Sequence, residues 1–397
     1  MSRAPKVKGF SIIEFMIAIT LSLLVLAALS TAFVGSSRSR EEIERVNQQV
    51  ENGRYAVQVM NDDFQHAGYM AYLDQYCAAC TGLNLFGGYT CTSTACTSAT
   101  WSNSPTLPDP CTTNVNALRV AMPVHVQGYD NGASPALSCI SDVKAGTDIV
   151  VLRRASTCAG GSANCAMQNG APYFQASTCN SNTELSSTTT YDPTDETTHS
   201  RYRLNTDQTK LVLHKKDCTT AADMLRYLVH IYFVANNDQG TDQIPTLKMA
   251  ELDMNSNASC PARDATGNWC IMPIAEGVEN LQIEYGVDSS PTVGDGAPDV
   301  YTADPSRFDP SNPGTLQTDC ASNTKCVMNW QNVMAIRLNL LVRSTTKSKS
   351  FTDTKSYQLG LKANGQPNTV GAQNDAYRRH VYESSIWLIN VAGRRAA

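Results

Sequence analysis

From residue 10 to residue 34 the chain runs 25 residues without Lys, Arg, Asp or His, interrupted only by Glu14. At 1.5 Å rise per residue such a helix is about 37 Å long, ample for a hydrocarbon core of about 30 Å. The run therefore predicts a helix able to span a membrane. Beyond Gly35 the pattern turns amphipathic: Ile43, Val50, Val57 and Phe64 recur every seven residues, Val46, Gly53 and Met60 form the interleaved series, and polar residues fill the rest. This spacing predicts that the helix continues to a stop at Gly68 and buries one side on a globular domain, with Gly53 marking a bend or a close contact.

The pattern changes period after residue 115. Apolar or alternating runs at 118–126, 148–153, 211–214 and 225–235 are bounded by Gly, Asn and Asp, as strands are. Leu281, Ile283, Tyr285 and Val287 alternate with polar or small residues, and Met334, Ile336, Leu338, Leu340 and Val342 do the same. Residues 386–391 would close the sheet, and N-N-D-Q-G-T-D at 236–242 predicts a hairpin turn. No second long helical pattern follows. The expected fold class is α+β: one long N-terminal helix packed on a mostly antiparallel β region with long loops. The predicted divisions are a leader at 1–9, a membrane or filament-core helix at 10–34, its amphipathic continuation at 35–68 and a β globular region at 69–397 in two lobes divided near 205.

Composition adds the compartment. Charged residues make up 17% of the 397, against roughly 25% in an ordinary soluble domain. A net charge of −5 argues against direct nucleic-acid binding, which is driven by Lys and Arg displacing counterions. Fourteen cysteines lie at Cys77, Cys80, Cys91, Cys96, Cys111, Cys139, Cys158, Cys165, Cys179, Cys218, Cys260, Cys270, Cys320 and Cys326. They form an even set with six scattered His and one C-x-x-C, which favours disulfides over zinc or redox chemistry. Short spacings suggest bridges from Cys158 to Cys165, Cys260 to Cys270 and Cys320 to Cys326; the rest of the connectivity stays open. The loop-like stretches at 77–115 and 155–200 are read as ordered excursions held by their cysteines. Oxidised cysteines imply a periplasmic or extracellular destination, and hence an export signal.

That signal sits at the front. Arg3, Lys6 and Lys8 precede the apolar run, which is about twice the length of a secretory h-region and contains a carboxylate that costs about 3 kcal/mol in lipid unless paired. The segment G-F-S-I-I-E-F, Gly9 to Phe15, resembles the leader junction of type IV prepilins. The resemblance implies that a prepilin peptidase cuts between Gly9 and Phe10, that the new amine of Phe10 is N-methylated, and that Glu14 forms an assembly charge pair with such an amine. Residues 52–72, with G-R-Y-A and A-G-Y, the stretch 115–139 with G-Y-D-N-G, and G-V-E-N-L-Q-I-E-Y-G-V-D at 277–288 are similar to the PilW family of minor pilins. That resemblance implies a protein held in the bacterial inner membrane and then packed near the tip of a pilus. There it would prime assembly with other minor pilins, the major pilin and a tip adhesin, in support of twitching motility, adhesion and DNA uptake.

The chain has no G-x-S-x-G, H-E-x-x-H, Walker loop or G-x-G-x-x-G, so an enzyme is not expected and no cofactor is implied. Asp288, Asp295 and Asp299, in D-S-S-P-T-V-G-D-G-A-P-D, form a weak calcium-loop candidate that lacks the leading D-x-D ligands. Two rivals share parts of this pattern. A type II secretion pseudopilin would have the same front end, and a soluble secreted disulfide-rich protein with a cleaved conventional signal would start near residue 33.

Overall fold

The computed structural model describes residues 9, 11–71, 107–132, 137–163, 165–179, 184, 202–254, 259–289, 295–307 and 329–395. Helix α1 (Ile12–Gln65) runs 54 residues, about 80 Å, without a break. It stops where the backbone must turn: Gly68 takes φ +67°, which costs glycine little, and its N–H donates to the Arg153 carbonyl of the sheet.

The larger of two main sheets holds β1 (Val126–Tyr129), β2 (Ile149–Ala159), β3 (Tyr173–Ala176), β4 (Tyr202–Asn205), β5 (Met224–Ala235), β6 (Thr246–Leu252), β7 (Ala262–Arg263) and β8 (Trp269–Glu276). Its main path is β1-β2-β5-β6-β8-β7, with β3 hydrogen-bonded to β5 and β4 to β3, and all its pairs are antiparallel. The smaller sheet holds β9 (Val278–Val287), β10 (Val300–Thr302), β11 (Val333–Arg343) and, beyond a two-stranded hairpin of β12 (Tyr357–Leu361) and β13 (Pro367–Val370), β14 (Arg379–Trp387), in the order β10-β9-β11-β14. The predicted division near residue 205 falls inside the larger sheet, which takes four strands from each side of it.

Strand β5 shows why that sheet is central. Tyr232 and Val234 belong to the core shared with α1 and the smaller sheet, whereas Tyr227, Val229, Ile231 and Phe233 belong to a second core on the opposite face, with Leu118, Phe174, Tyr202 and Trp269. A strand buried on both faces reads as a nearly continuous apolar run, as 225–235 does. The two sheets join at Gly277, between β8 and β9. It sits at φ +80° with the Arg343 carbonyl where a Cβ would stand, and its own C=O accepts from the Arg343 N–H at 2.7 Å. Asp148 adds a second tie. One carboxylate oxygen accepts from the Asn131 N–H at 2.8 Å and the other from the Ile283 N–H at 2.8 Å.

Three local expectations differ. Residues 118–126 open as α2 (Val115–Ala121) rather than a strand, because the Asn114 side chain caps it by accepting from the N–H groups of Asn116 and Ala117. Residues 211–214 form an isolated bridge, His214 with Ala221. The closing run at 386–391 ends β14 at Trp387 and passes into α3 (Ile389–Arg395). The turn at 236–242 joins β5 to β6 as predicted, with Asp242 accepting from the N–H groups of Asp238 and Gln239.

Candidate functional site

The candidate site is α1 itself, which lives in two environments. Residues 12–34 are exposed throughout: Ile12 is 81% exposed, Leu24 67% and Phe33 74%. The stretch is long and apolar enough to cross a membrane, and none of its apolar window is buried. Its polar atoms are satisfied within the helix. Thr20, Ser22, Ser30 and Thr31 donate their hydroxyls to carbonyls three or four residues earlier, which is what a helix without water requires. At the N-terminus Glu14 Oε2 accepts from the Ser11 N–H at 3.0 Å, so the carboxylate satisfies one of the first-turn donors. Gly9 is exposed with open space about it, and Phe10 lies outside the described residues.

The other half is held by the domain. Gln49, Gly53, Ala56, Met60, Asp63 and Phe64 are buried, while Ile43, Val46 and Val50 remain 57%, 37% and 37% exposed. The seven-residue seam is thus corrected: the buried stripe includes Gln49 and Asp63, and the upper half of the expected seam faces away from the domain. Gly53 is a close contact rather than a bend, for the Tyr382 ring of β14 occupies the place of a side chain there. Gln49 donates to the carbonyls of Val342 and Arg378, and Asn52 to that of Glu276. Glu42 pairs with Arg378 and accepts from the Ser348 hydroxyl.

The tightest attachment is at Asp63. Its carboxylate accepts from Arg154 Nε at 2.8 Å, His230 Nδ1 at 2.5 Å and the Tyr232 hydroxyl at 2.7 Å, joining the helix to β2 and β5. Burial alone would raise the Asp63 carboxyl, but the charges of His230 and Arg154 and the bonds from His230 and Tyr232 hold it far below the usual carboxylate range. Burial would lower the His230 imidazole; the Asp63 charge and hydrogen bond, with Glu251 behind them, push it up to about 9. Sequence reading missed this cluster. The usable signal was an acid on the apolar stripe of the helix and a lone His within the apolar run at 225–235.

Four disulfides join Cys111 to Cys139, Cys158 to Cys165, Cys179 to Cys218 and Cys260 to Cys270. Two of these are the short-spacing pairs; Cys77, Cys80, Cys91, Cys96, Cys320 and Cys326 lie outside the described residues. At the calcium candidate each carboxylate meets loop donors. Asp288 accepts from the Gly296 N–H, Asp295 from the Ala297 N–H, and Asp299 from the N–H and hydroxyl of Ser289. These carboxylates cap loop donors instead of converging, and no group of three acidic, His or Cys side chains among the described residues could hold a metal.

An exposed apolar helix of this length, rooted at its C-terminal half on an antiparallel, disulfide-bridged domain, is the arrangement that the resemblance to type IV pilins implies. Family profiles match at both ends: the Prokaryotic N-terminal methylation motif over residues 5–30 and the Type IV Pilus-assembly protein W over residues 231–390. Together they support a PilW-family type IV minor pilin, a structural class of protein, and they fit membrane anchoring and prepilin processing. No curated protein matches. Among solved structures the chain is similar to the type IV-like pilin TTHA1219 from Thermus thermophilus, at 17% identity and a TM-score of 0.20 over 42% of this chain and 70% of that one.

Proposed function

We propose that this protein primes assembly of a type IV pilus and sits near the tip, bound to other minor pilins, the major pilin and a tip adhesin, and so supports twitching motility, adhesion and DNA uptake. The observation that carries the reading is the fully exposed apolar half of α1, which has no stable place in water and fits first a bilayer and then a bundle of like helices. In this reading the peptidase cuts between Gly9 and Phe10, leaving the methylated Phe10 amine as a cation at the start of the apolar segment. Glu14 then exchanges its bond to the Ser11 N–H for the amine of a neighbouring subunit, which sets axial register. Ile43, Val46 and Val50, turned away from the domain, extend the helix contact. The globular region folds in the periplasm, where its disulfides form, and leaves the inner membrane with the fibre.

Mass spectrometry of the mature N-terminus tests this directly. A chain starting at N-methylated Phe10 is expected, and Gly9→Val should accumulate as uncut precursor. A start near residue 33, or normal maturation of Gly9→Val, would contradict the assignment.

A further inference from the structure

The chain carries a net charge of −5, yet the surface of the domain next to the apolar span is basic. Just beyond that span α1 presents Arg38 and Arg40, both exposed. Then comes Glu42, which pairs with Arg378 and accepts from the Ser348 hydroxyl at 2.9 Å. These two contacts bring the segment 344–351, which follows β11, against the helix. Glu42 is eight residues past Val34, so the segment meets α1 about 12 Å beyond the end of the apolar run. Ser348 is buried there, while Lys347 and Lys349 on either side of it are exposed. The Arg378 guanidinium lies over the Phe351 ring at 4.3 Å and fixes the other end of the segment.

The acids at this level are mostly taken. Glu41 pairs with Arg45 at 3.4 Å, and Glu42 with Arg45 at 3.1 Å as well as with Arg378, which leaves Glu44 as an exposed carboxylate outside these pairs. Among the described residues Arg38, Arg40, Lys347 and Lys349 make no ion pair; Lys347 stands 5.8 Å from the centre of the Tyr377 ring. Six cations, counting Arg45 and Arg378, thus face three carboxylates. Behind them Arg343 and Arg379 meet Glu279, Asp353 and Asp375, which lowers the excess by one without reversing it. Headgroups reach about 5–7 Å beyond the hydrocarbon on each side of a bilayer. Side chains rooted about 12 Å from the apolar run therefore lie within one screening length, about 8 Å at physiological salt, of lipid phosphates.

We propose that Arg38, Arg40, Lys347 and Lys349 form a docking surface for the anionic phospholipid headgroups of the leaflet from which the domain emerges, and so hold the domain down on the membrane until the subunit enters a fibre. The guanidinium and ammonium groups donate charge-assisted bonds to lipid phosphates. Zwitterionic lipids carry the same phosphate, but the choline charge cancels it, so a cluster of cations selects lipids with net negative charge. The proposal rests on the pilin reading, because it needs α1 inserted in a bilayer. It adds a second hold on the membrane that the apolar helix does not supply, one that depends on lipid charge and on salt.

Amine labelling read by mass spectrometry tests it on the full-length protein in lipid nanodiscs, made either of phosphatidylcholine alone or with a quarter phosphatidylglycerol. Labelling of Lys347 and Lys349 is expected to fall about threefold or more in the anionic discs, while the exposed Lys216 keeps its rate. Salt at about 1 M, where the screening length shrinks to about 3 Å, should remove most of that difference. A second measurement uses Lys347→Gln with Lys349→Gln, a change of two exposed side chains that should leave the unfolding midpoint unchanged. Native mass spectrometry of protein released from the mixed discs should find wild type enriched in phosphatidylglycerol and the double variant much less so. Equal labelling in the two kinds of disc, or equal enrichment in wild type and variant, would overturn the proposal. The mass of the reconstituted chain separates the two readings: a start near residue 33 would overturn both, whereas equal labelling in a chain that keeps residues 10–34 would overturn this one alone.

Discussion

The two halves of α1 are one continuous helix under opposite rules. In residues 12–34 apolar side chains face outward and the few polar groups are satisfied inside the helix. In residues 49–64 the buried side includes polar residues, and the domain satisfies them: Gln49 and Asn52 reach strand carbonyls, and Asp63 takes three donors from β2 and β5. The lesson is that the pilin helix is anchored to its domain by polar specificity as much as by apolar area. Its outer half is exposed, and in the proposed function it is the half that meets other subunits. Changes to the inner half should therefore be felt as folding defects, and changes to the outer half as assembly defects.

The largest effect on that contrast should come from Asp63→Ala, which strands Arg154 and His230 in a buried site. A loss of about 3–5 kcal/mol is expected from denaturant unfolding, because removing one partner leaves buried charges uncompensated. Its pH dependence sharpens the point. His230 is pushed up from 6.5 to about 9 in the folded chain, so its contribution is fully present below about pH 6.5 and is lost as pH rises through about 9. Wild type should lose stability across that window, and Asp63→Ala should lose much less. A wild-type stability flat from pH 6.5 to 9 would contradict the role assigned to the Asp63–His230 pair.

Next in size is the pair Cys179→Ser with Cys218→Ser. The bridge spans 39 residues, for which chain entropy gives about 4 kcal/mol, against about 2 for the 7-residue span of Cys158 to Cys165. Unfolding midpoints of the two double variants should fall in that order. Smaller again is Gly53→Val, which drives a branched side chain into the Tyr382 ring and should cost about 1–3 kcal/mol. Tyr382→Ala in the same chain should recover part of it, since it removes the obstructing ring.

Much of this architecture was legible beforehand. The length of the apolar run fixed the outer half of α1, and the period-two alternation at 281–287 and 334–342 gave β9 and β11, whose inward rows now face the helix. What was not legible depended on neighbours distant in the chain. The seam through Ile43 and Val50 fits the heptad, yet the domain selects a stripe containing Gln49 and Asp63, because strand carbonyls and the Arg154 and His230 side chains are there to meet them. The helix at 115–121 was hidden by its apolar content, and only its Asn114 cap distinguishes it. The carboxylates at 288, 295 and 299 had a calcium-like spacing, but loop N–H groups compete for the same oxygens.

The smallest effect on folding and the largest on function should meet in Glu14→Ala. Among the described residues its carboxylate accepts from the Ser11 N–H, some fifty residues from Asp63 and outside the domain. The decisive measurement is the amount of this variant in sheared pili, taken beside its unfolding midpoint. The account predicts an unchanged midpoint and a subunit retained in the membrane but depleted from pili. Wild-type amounts in the fibre, or a lowered midpoint, would contradict the division of α1 into a folding half and an assembly half.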